Sequence, residues 1–271
     1  MAGQVHYEVR DHVATVTLDN QKARNAFDYE MCMELKRLWG VINEDPDVRC
    51  AIVTGAGDKA FCTGWDISSN ATGEAQDFAK HGRKAAPYNN ITAVQNQCWT
   101  PVITAVNGMC NGGGLHFIAD TDIAIGADTS TYFDTHCANG LAAIVEMVGL
   151  ARKVPLDAVF RLIYMGSKER MAAEDALRLG MIGEIVPAAD LMDRAREIAE
   201  NICSMSPASL ARSKQALWQS LDMGLEDALE ATHKILDVHA DHPDTIEGPT
   251  AFFEKRPPNW APFDGKAVDI S

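Results

Sequence analysis

The chain has 271 residues, 46% hydrophobic and 23% charged, with a formal net charge of −14. That is the composition of a soluble globular protein able to bury its core without disulfides or metals. An unpatterned acidic surface repels phosphate backbones and anionic lipid. It therefore excludes nucleic acid and membrane as natural partners, while a few placed Lys and Arg can still hold an anionic small molecule.

In chain order, residues 5–9 and 13–18 alternate apolar and polar side chains around Asp11-His12, which predicts a β-hairpin. Residues 20–25 form a polar connector with Lys22 and Arg24. Asp28 is a good N-cap for a helix over 29–43, stopped by Asp45-Pro46. Residues 50–53 are a short apolar run, read as a buried strand of a β-α-β unit. Residues 60–67 start apolar and turn at Gly64, 68–76 read as a mobile loop, and 77–98 as helix with a break near Pro87. Strands are expected at 101–106 and 122–125, on either side of a glycine cluster. This alternation argues an α/β core. Helical spacing then dominates 156–164, 172–179, 191–203, 207–221 and 225–238, with one strand at 182–186 and a loosely structured tail at 257–271. The expected division is a core over 1–200 and a helical region over 201–271.

Seven Cys are scattered with no CxxC, a pattern of free thiols in a reducing compartment. No leader precedes the first strand and no run of about 18 apolar residues occurs. Both points predict a cytoplasmic protein.

The chemistry concentrates in 106–140. Asn111-Gly112-Gly113-Gly114-Leu115-His116 joins a strand to a helix. Glycines there let the backbone approach a ligand and present unpaired N–H groups at the positive helix end, where charge on oxygen is stabilised. Neither GxGxxG nor GxxxxGK[ST] is present, so the dinucleotide and P-loop readings fail. Taken alone, the triplet fits a tight turn equally well.

Six strings occur in one order: KARNAF (22–27), VTGAGDKAFCTGWDI (53–67), PVITAVNGMCNGGG (101–114), DIAIGADTSTYF (122–133), MGSKERMAAEDALRLGMIGEIVP (165–187) and FFEKRPPN (252–259). Together they resemble the crotonase, or enoyl-CoA hydratase/isomerase, superfamily. The resemblance implies a crotonase-like (ClpP/crotonase) α/β spiral of β-β-α units with a C-terminal helical region for trimerisation, as a homotrimer or dimer of trimers. It implies an acyl-CoA thioester as substrate, with coenzyme A as part of that substrate, no separate cofactor and no metal. The thioester oxygen would bind the amides of Trp65 and Gly113. Coenzyme A contacts would come from Lys22, Arg24, the backbone at Thr63, Gly64, Asp66 and Ile67, and Lys255 or Arg256 of a neighbouring subunit.

Hydratases of this superfamily use two glutamates, and the corresponding positions here hold His116 and His136. In extended chain Asp134 would share a face with His136 and orient its imidazole, which titrates near neutral pH and suits general acid–base work. His116, Asp134, His136 and Cys137 are metal-ligand types, but their spacing matches no standard zinc site. Glu146 is a secondary acid candidate whose ordinary reading is an exposed helix residue, and His81 is a remote one. The leading expectation is hydratase/isomerase-type lyase chemistry with His/Asp in place of Glu/Glu. The alternatives are a C–C bond hydrolase of a cyclic β-keto acyl-CoA and a non-catalytic acyl-CoA-binding protein.

Overall fold

The computed structural model describes residues 3–66 and 90–270. Gln4–Arg10 (β1) and Val13–Asp19 (β2) form the expected antiparallel hairpin. Its two-residue turn puts Asp11 at φ 50° and His12 at φ 67°, the backbone twist that matches a strand pair. Asp28 caps the helix Tyr29–Glu44 (α1) by accepting from the Met31 amide. Met31, Leu35, Leu38 and Ile42 face the core, as their spacing predicts.

Two sheets then grow together. Cys50–Gly55 (β3), Val102–Val106 (β5), Ile123–Ala127 (β7) and Glu184–Val186 (β10) extend the hairpin into a six-stranded sheet of order β1-β2-β3-β5-β7-β10, parallel beyond the hairpin. Ala60–Cys62 (β4), Met109–Asn111 (β6), Thr131–Phe133 (β8) and Met171–Ala172 (β9) form a four-stranded sheet. Each of β3, β5 and β7 turns through a few residues into β4, β6 or β8 of the other sheet, so the chain winds as repeated β-β corners.

The larger sheet is covered on both faces, which is why its strands read as unbroken apolar runs. Ala51 and Val53 enter the core shared with α1, Phe61 and Tyr132. Cys50 and Ile52 turn the other way, onto Ala195 and Ala199 of the helix Leu191–Cys203. A Cβ on Gly126 would lie 2.6 Å from the Tyr132 hydroxyl oxygen, so β7 can cross the corner only as glycine.

One expectation is overturned, one helix was missed, and the tail is irregular as expected but tied down. The helix over 77–98 does not hold for 90–98, where the chain makes only a 3-10 turn, Val94–Asn96, ended by Gln97 at φ 54°. A helix at Asp244–Glu254 was not anticipated, because Gly248 and Pro249 lie inside it. The tail has no regular structure over 257–270, yet it is fastened down. Gln215 bonds both the amide and the carbonyl of Val268, Trp260 donates to Ser204 O at 2.8 Å, and Asn43 donates to Gly265 O.

The helices Pro207–Ser220, Leu225–Ala240 and Asp244–Glu254 leave Leu217, Leu225, Leu229, Leu236, Ile246, Phe252 and Phe253 more than half exposed. Among the described residues, no helix is long and apolar enough to cross a membrane.

Candidate active site

Strand β6 ends in a 3-10 turn, Gly112–Leu115, that continues as the short helix His116–Ala119 (α2). The turn lies directly against the segment after β4. Gly64 sits at φ +87°, and a Cβ on it would lie 2.7 Å from the Gly113 nitrogen. A Cβ on Gly113 would lie 2.7 Å from Phe27 Cζ. Two backbones therefore touch with no side chain between them. Phe27 forms a parallel bridge with Trp65, its amide donating to Gly64 O at 2.8 Å and its carbonyl accepting from Asp66 N at 2.9 Å. In that pairing the Trp65 N–H faces away from Phe27. The first amides of a helical turn have no partner within the turn, and Gly113 is among them.

Asn111 ties the neighbourhood together. Its amide nitrogen donates to Thr63 O at 3.2 Å and to Thr135 Oγ1 at 3.0 Å, which joins the Thr63–Asp66 segment, the glycine turn and the loop after β8.

That loop carries Asp134 and His136. They pair through a side-chain-capped turn and not through extended chain: Asp134 Oδ1 accepts the His136 amide at 2.9 Å, and Oδ2 accepts from the ring Nδ1 at 2.7 Å. Asp134 is fully buried, while the His136 side chain is 25% exposed. Burial pulls the His136 pKa down, but the Asp134 hydrogen bond and the charges of Glu146 and Asp134 outweigh it and leave it raised. The ring lies over the glycine turn, its Cε1 3.4 Å from where a Cβ of Gly112 would be.

His116 and Glu146 complete the cluster. Glu146, on the helix Val145–Leu150 (α3), is buried, contrary to the exposed residue its ordinary reading suggests. Its Oε1 lies 3.1 Å from His136 Nδ1 and its Oε2 3.6 Å from His116 Nε2. Burial raises the Glu146 carboxyl, against the lowering influence of His136. His116 is 3% exposed, and desolvation, with His136 adding, pushes its pKa down to about 4. Gln95 Nε2 lies 3.3 Å from His116 Nδ1, and Asp120 Oδ2 lies 3.9 Å away.

The sequence from residue 8 to 262 matches the enoyl-CoA hydratase/isomerase family. This chain belongs to that family. It is 34% identical over 258 residues to an (E)-benzylidenesuccinyl-CoA hydratase of Thauera aromatica, covering 94% of this chain and 97% of the other. It is 33% identical to a carnitinyl-CoA dehydratase of Shigella flexneri, covering 96% and 99%. A solved enoyl-CoA hydratase/isomerase from Mycobacterium paratuberculosis superposes with a TM-score of 0.87 at 34% identity, over 95% of this chain and 98% of that one. An enoyl-CoA hydratase from Bacillus anthracis does so with 0.86 at 28%, over 98% and 100%. The α/β architecture described above is the family's fold, with a helical region at its C-terminal end.

Within this family member, the structure brings Gly64, Gly113, His116, Asp134 and His136 to one place, with Glu146, the secondary candidate, buried among them. Lys22 and Arg24 are exposed on a loop that Thr63 clamps from the site side, its hydroxyl donating to Ala23 O at 3.0 Å. Asn25 holds the same loop through Ala56 O and Ala60 O. Arg256 is engaged by Glu247 and Glu254, whereas Lys255 is exposed at the left-handed end of the last helix. Ile67 and His81 lie outside the described residues.

The ligand atoms of Asp134, His136 and Glu146 fall within 4.8 Å of one another, the spacing a cation needs. The His136 Nδ1–Asp134 contact at 2.7 Å is a hydrogen bond, however, so a metal would have to displace its proton and break that pair. The cluster is held together by the His136–Asp134 hydrogen bond, with Glu146 beside it. Gln95, Asn111 and Glu146 are the residues sequence reasoning underused. Gln95 lies outside the quoted strings, and nothing in its spacing points to the site.

Proposed function

We propose that this protein is an acyl-CoA lyase of the hydratase/dehydratase type, with His136 and Asp134 as its acid–base pair. The observation that carries the proposal is the buried Asp134 carboxylate on His136 Nδ1, held beside the glycine turn. That arrangement fixes the ring's tautomer and leaves Nε2 as the proton-exchanging nitrogen.

The thioester oxygen accepts hydrogen bonds from the Trp65 and Gly113 amides, and the bonds strengthen as negative charge develops on it. In hydration, neutral His136 takes a proton from water as the oxygen adds to the β-carbon, which yields an enolate. The resulting imidazolium then returns a proton to the α-carbon, for a net gain of one water. Dehydration is the same path reversed. Lys22, Arg24 and Lys255, with the backbone at Thr63, Gly64 and Asp66, would meet coenzyme A, Lys255 from a neighbouring subunit; the exposure of all three basic side chains supports this. The apolar faces of the C-terminal helices support a homotrimer or dimer of trimers. The free, mostly buried cysteines support a reducing, cytoplasmic setting.

The test is a panel of enoyl-, 3-hydroxyacyl- and cyclic β-keto acyl-CoAs, followed by mass spectrometry. Gain or loss of one water on the open-chain esters supports the lyase. Water gained with ring opening and a new carboxylate replaces it with the C–C hydrolase. Tight binding with no turnover replaces it with an acyl-CoA-binding protein.

A further inference from the structure

The two histidines occupy the positions of a symmetric acid–base pair, but their surroundings differ. Gln95 Oε1 accepts from the Ile91 amide at 2.9 Å and the Thr92 amide at 3.2 Å. Two backbone donors on one atom identify it as the oxygen, so the atom facing His116 Nδ1 is the amide nitrogen. An amide nitrogen only donates. His116 Nδ1 must accept, and the ring proton sits on Nε2. A second ring proton would set N–H against N–H.

The charged groups around His116 are consistent with a neutral ring. Asp120 lies beyond hydrogen-bond reach of Nδ1, and its Oδ2 already accepts from Thr92 Oγ1 at 2.9 Å. Lys153 donates to the carbonyls of Ile118 and Thr121 on the same stretch of chain. His136 adds repulsion between like charges.

Glu146 lies between the two rings. Its Oε2 faces His116 Nε2 at 3.6 Å, just outside direct hydrogen-bond reach, so a small shift of either side chain would let the Nε2–H donate to it. Its Oε1 sits 3.1 Å from His136 Nδ1 yet receives no hydrogen bond among the described residues, because that N–H goes to Asp134. Glu146 therefore acts on His136 through its charge, beside Asp134.

We infer that His136 alone carries the proton, and that His116, locked by Gln95 as the neutral Nε2–H tautomer, is a positioning residue that holds Glu146 against His136. This inference rests on the proposed role of His136. It departs from a two-carrier site, because one nitrogen serves as base in one half-reaction and acid in the other.

Two measurements test it. The first needs no turnover: ring ¹⁵N shifts of the wild-type protein between about pH 5 and 8. His116 should stay the neutral Nε2–H tautomer throughout, and Gln95→Glu should move its proton to Nδ1. A charged His116 near pH 7, or the Nδ1–H tautomer in wild type, overturns the inference. The second uses exchange of the α-hydrogens of butyryl-CoA in D₂O, read by mass. His116→Gln keeps an N–H donor near the Nε2 position but carries no proton, and should stay within about tenfold of wild type. His116→Leu should lose about a hundredfold. If His116→Gln falls as far as His136→Ala, His116 is a proton carrier and the inference fails. Full exchange by His136→Ala would instead remove the proposed function and leave the tautomer result standing.

Discussion

Neutralising Asp120 should expose a stability cost that the native protein conceals. His116 has its pKa pushed from 6.5 down to about 4, mainly by burial. Between those values the unfolded chain binds the proton and the folded one does not, so His116 makes the protein less stable as pH falls through that window. At 1.36 kcal/mol per unit, the loss is about 3 kcal/mol. Asp120, 3.9 Å away, moves oppositely: burial raises its carboxyl from 3.8 to about 6. Its folded form takes up the proton first, so Asp120 makes the protein more stable as pH falls from 6 toward 4, also by about 3 kcal/mol at most. The two contributions nearly cancel in wild type. Between pH 6.5 and pH 4.5, Asp120→Asn should therefore steepen the loss of stability by about 2 kcal/mol relative to wild type, and His116→Gln should flatten it by about 2 kcal/mol. Urea unfolding at pH 6.5 and pH 4.5 for the three proteins reads the difference, and the remaining carboxylates are common to all. Parallel pH dependences of His116→Gln and wild type would refute the buried, neutral state of His116, and parallel ones of Asp120→Asn and wild type would refute the raised Asp120 carboxyl.

Asp134→Asn replaces the carboxylate that accepts from His136 Nδ1 with a neutral amide and removes its charge. Activity should fall by about 10²–10⁴, and the His136 titration should move to lower pH, visible in a pH–rate profile. Gly64→Ala forces φ +87° on a residue with a Cβ and drives that Cβ toward the Gly113 nitrogen. A loss of about 1–3 kcal/mol in denaturant unfolding is expected, with a larger fall in kcat from displacing the amides. Lys22→Ala with Arg24→Ala should raise KM for acyl-CoA with little change in kcat, and the effect should shrink with added salt. Chelation with EDTA should leave activity unchanged if the Asp134–His136–Glu146 cluster works as an acid–base group; loss restored by a divalent cation would assign it to a metal.

The hairpin, the capped helix α1 and the buried strands were legible because each rests on local rules: alternation, an Asp N-cap and continuous apolar runs. Strands β6, β8 and β9 were not, since two or three residues carry no period. Their existence is a consequence of the corners that send the chain into the second sheet. In the site, the glycine turn and both histidines were legible from order and spacing. Asp134 pairs with His136 as expected, through a capped turn instead of an extended strand. The burial of Glu146 depends on α3 folding back onto α2, and the tautomer of His116 depends on an amide at residue 95. Such long-range contacts leave no mark in local sequence.

The most direct measurement of the central claim is turnover of His136→Ala on the acyl-CoA that wild type converts. The account predicts a fall of about two to four decades in kcat, with acyl-CoA binding and the fold retained. A loss of less than threefold would contradict it.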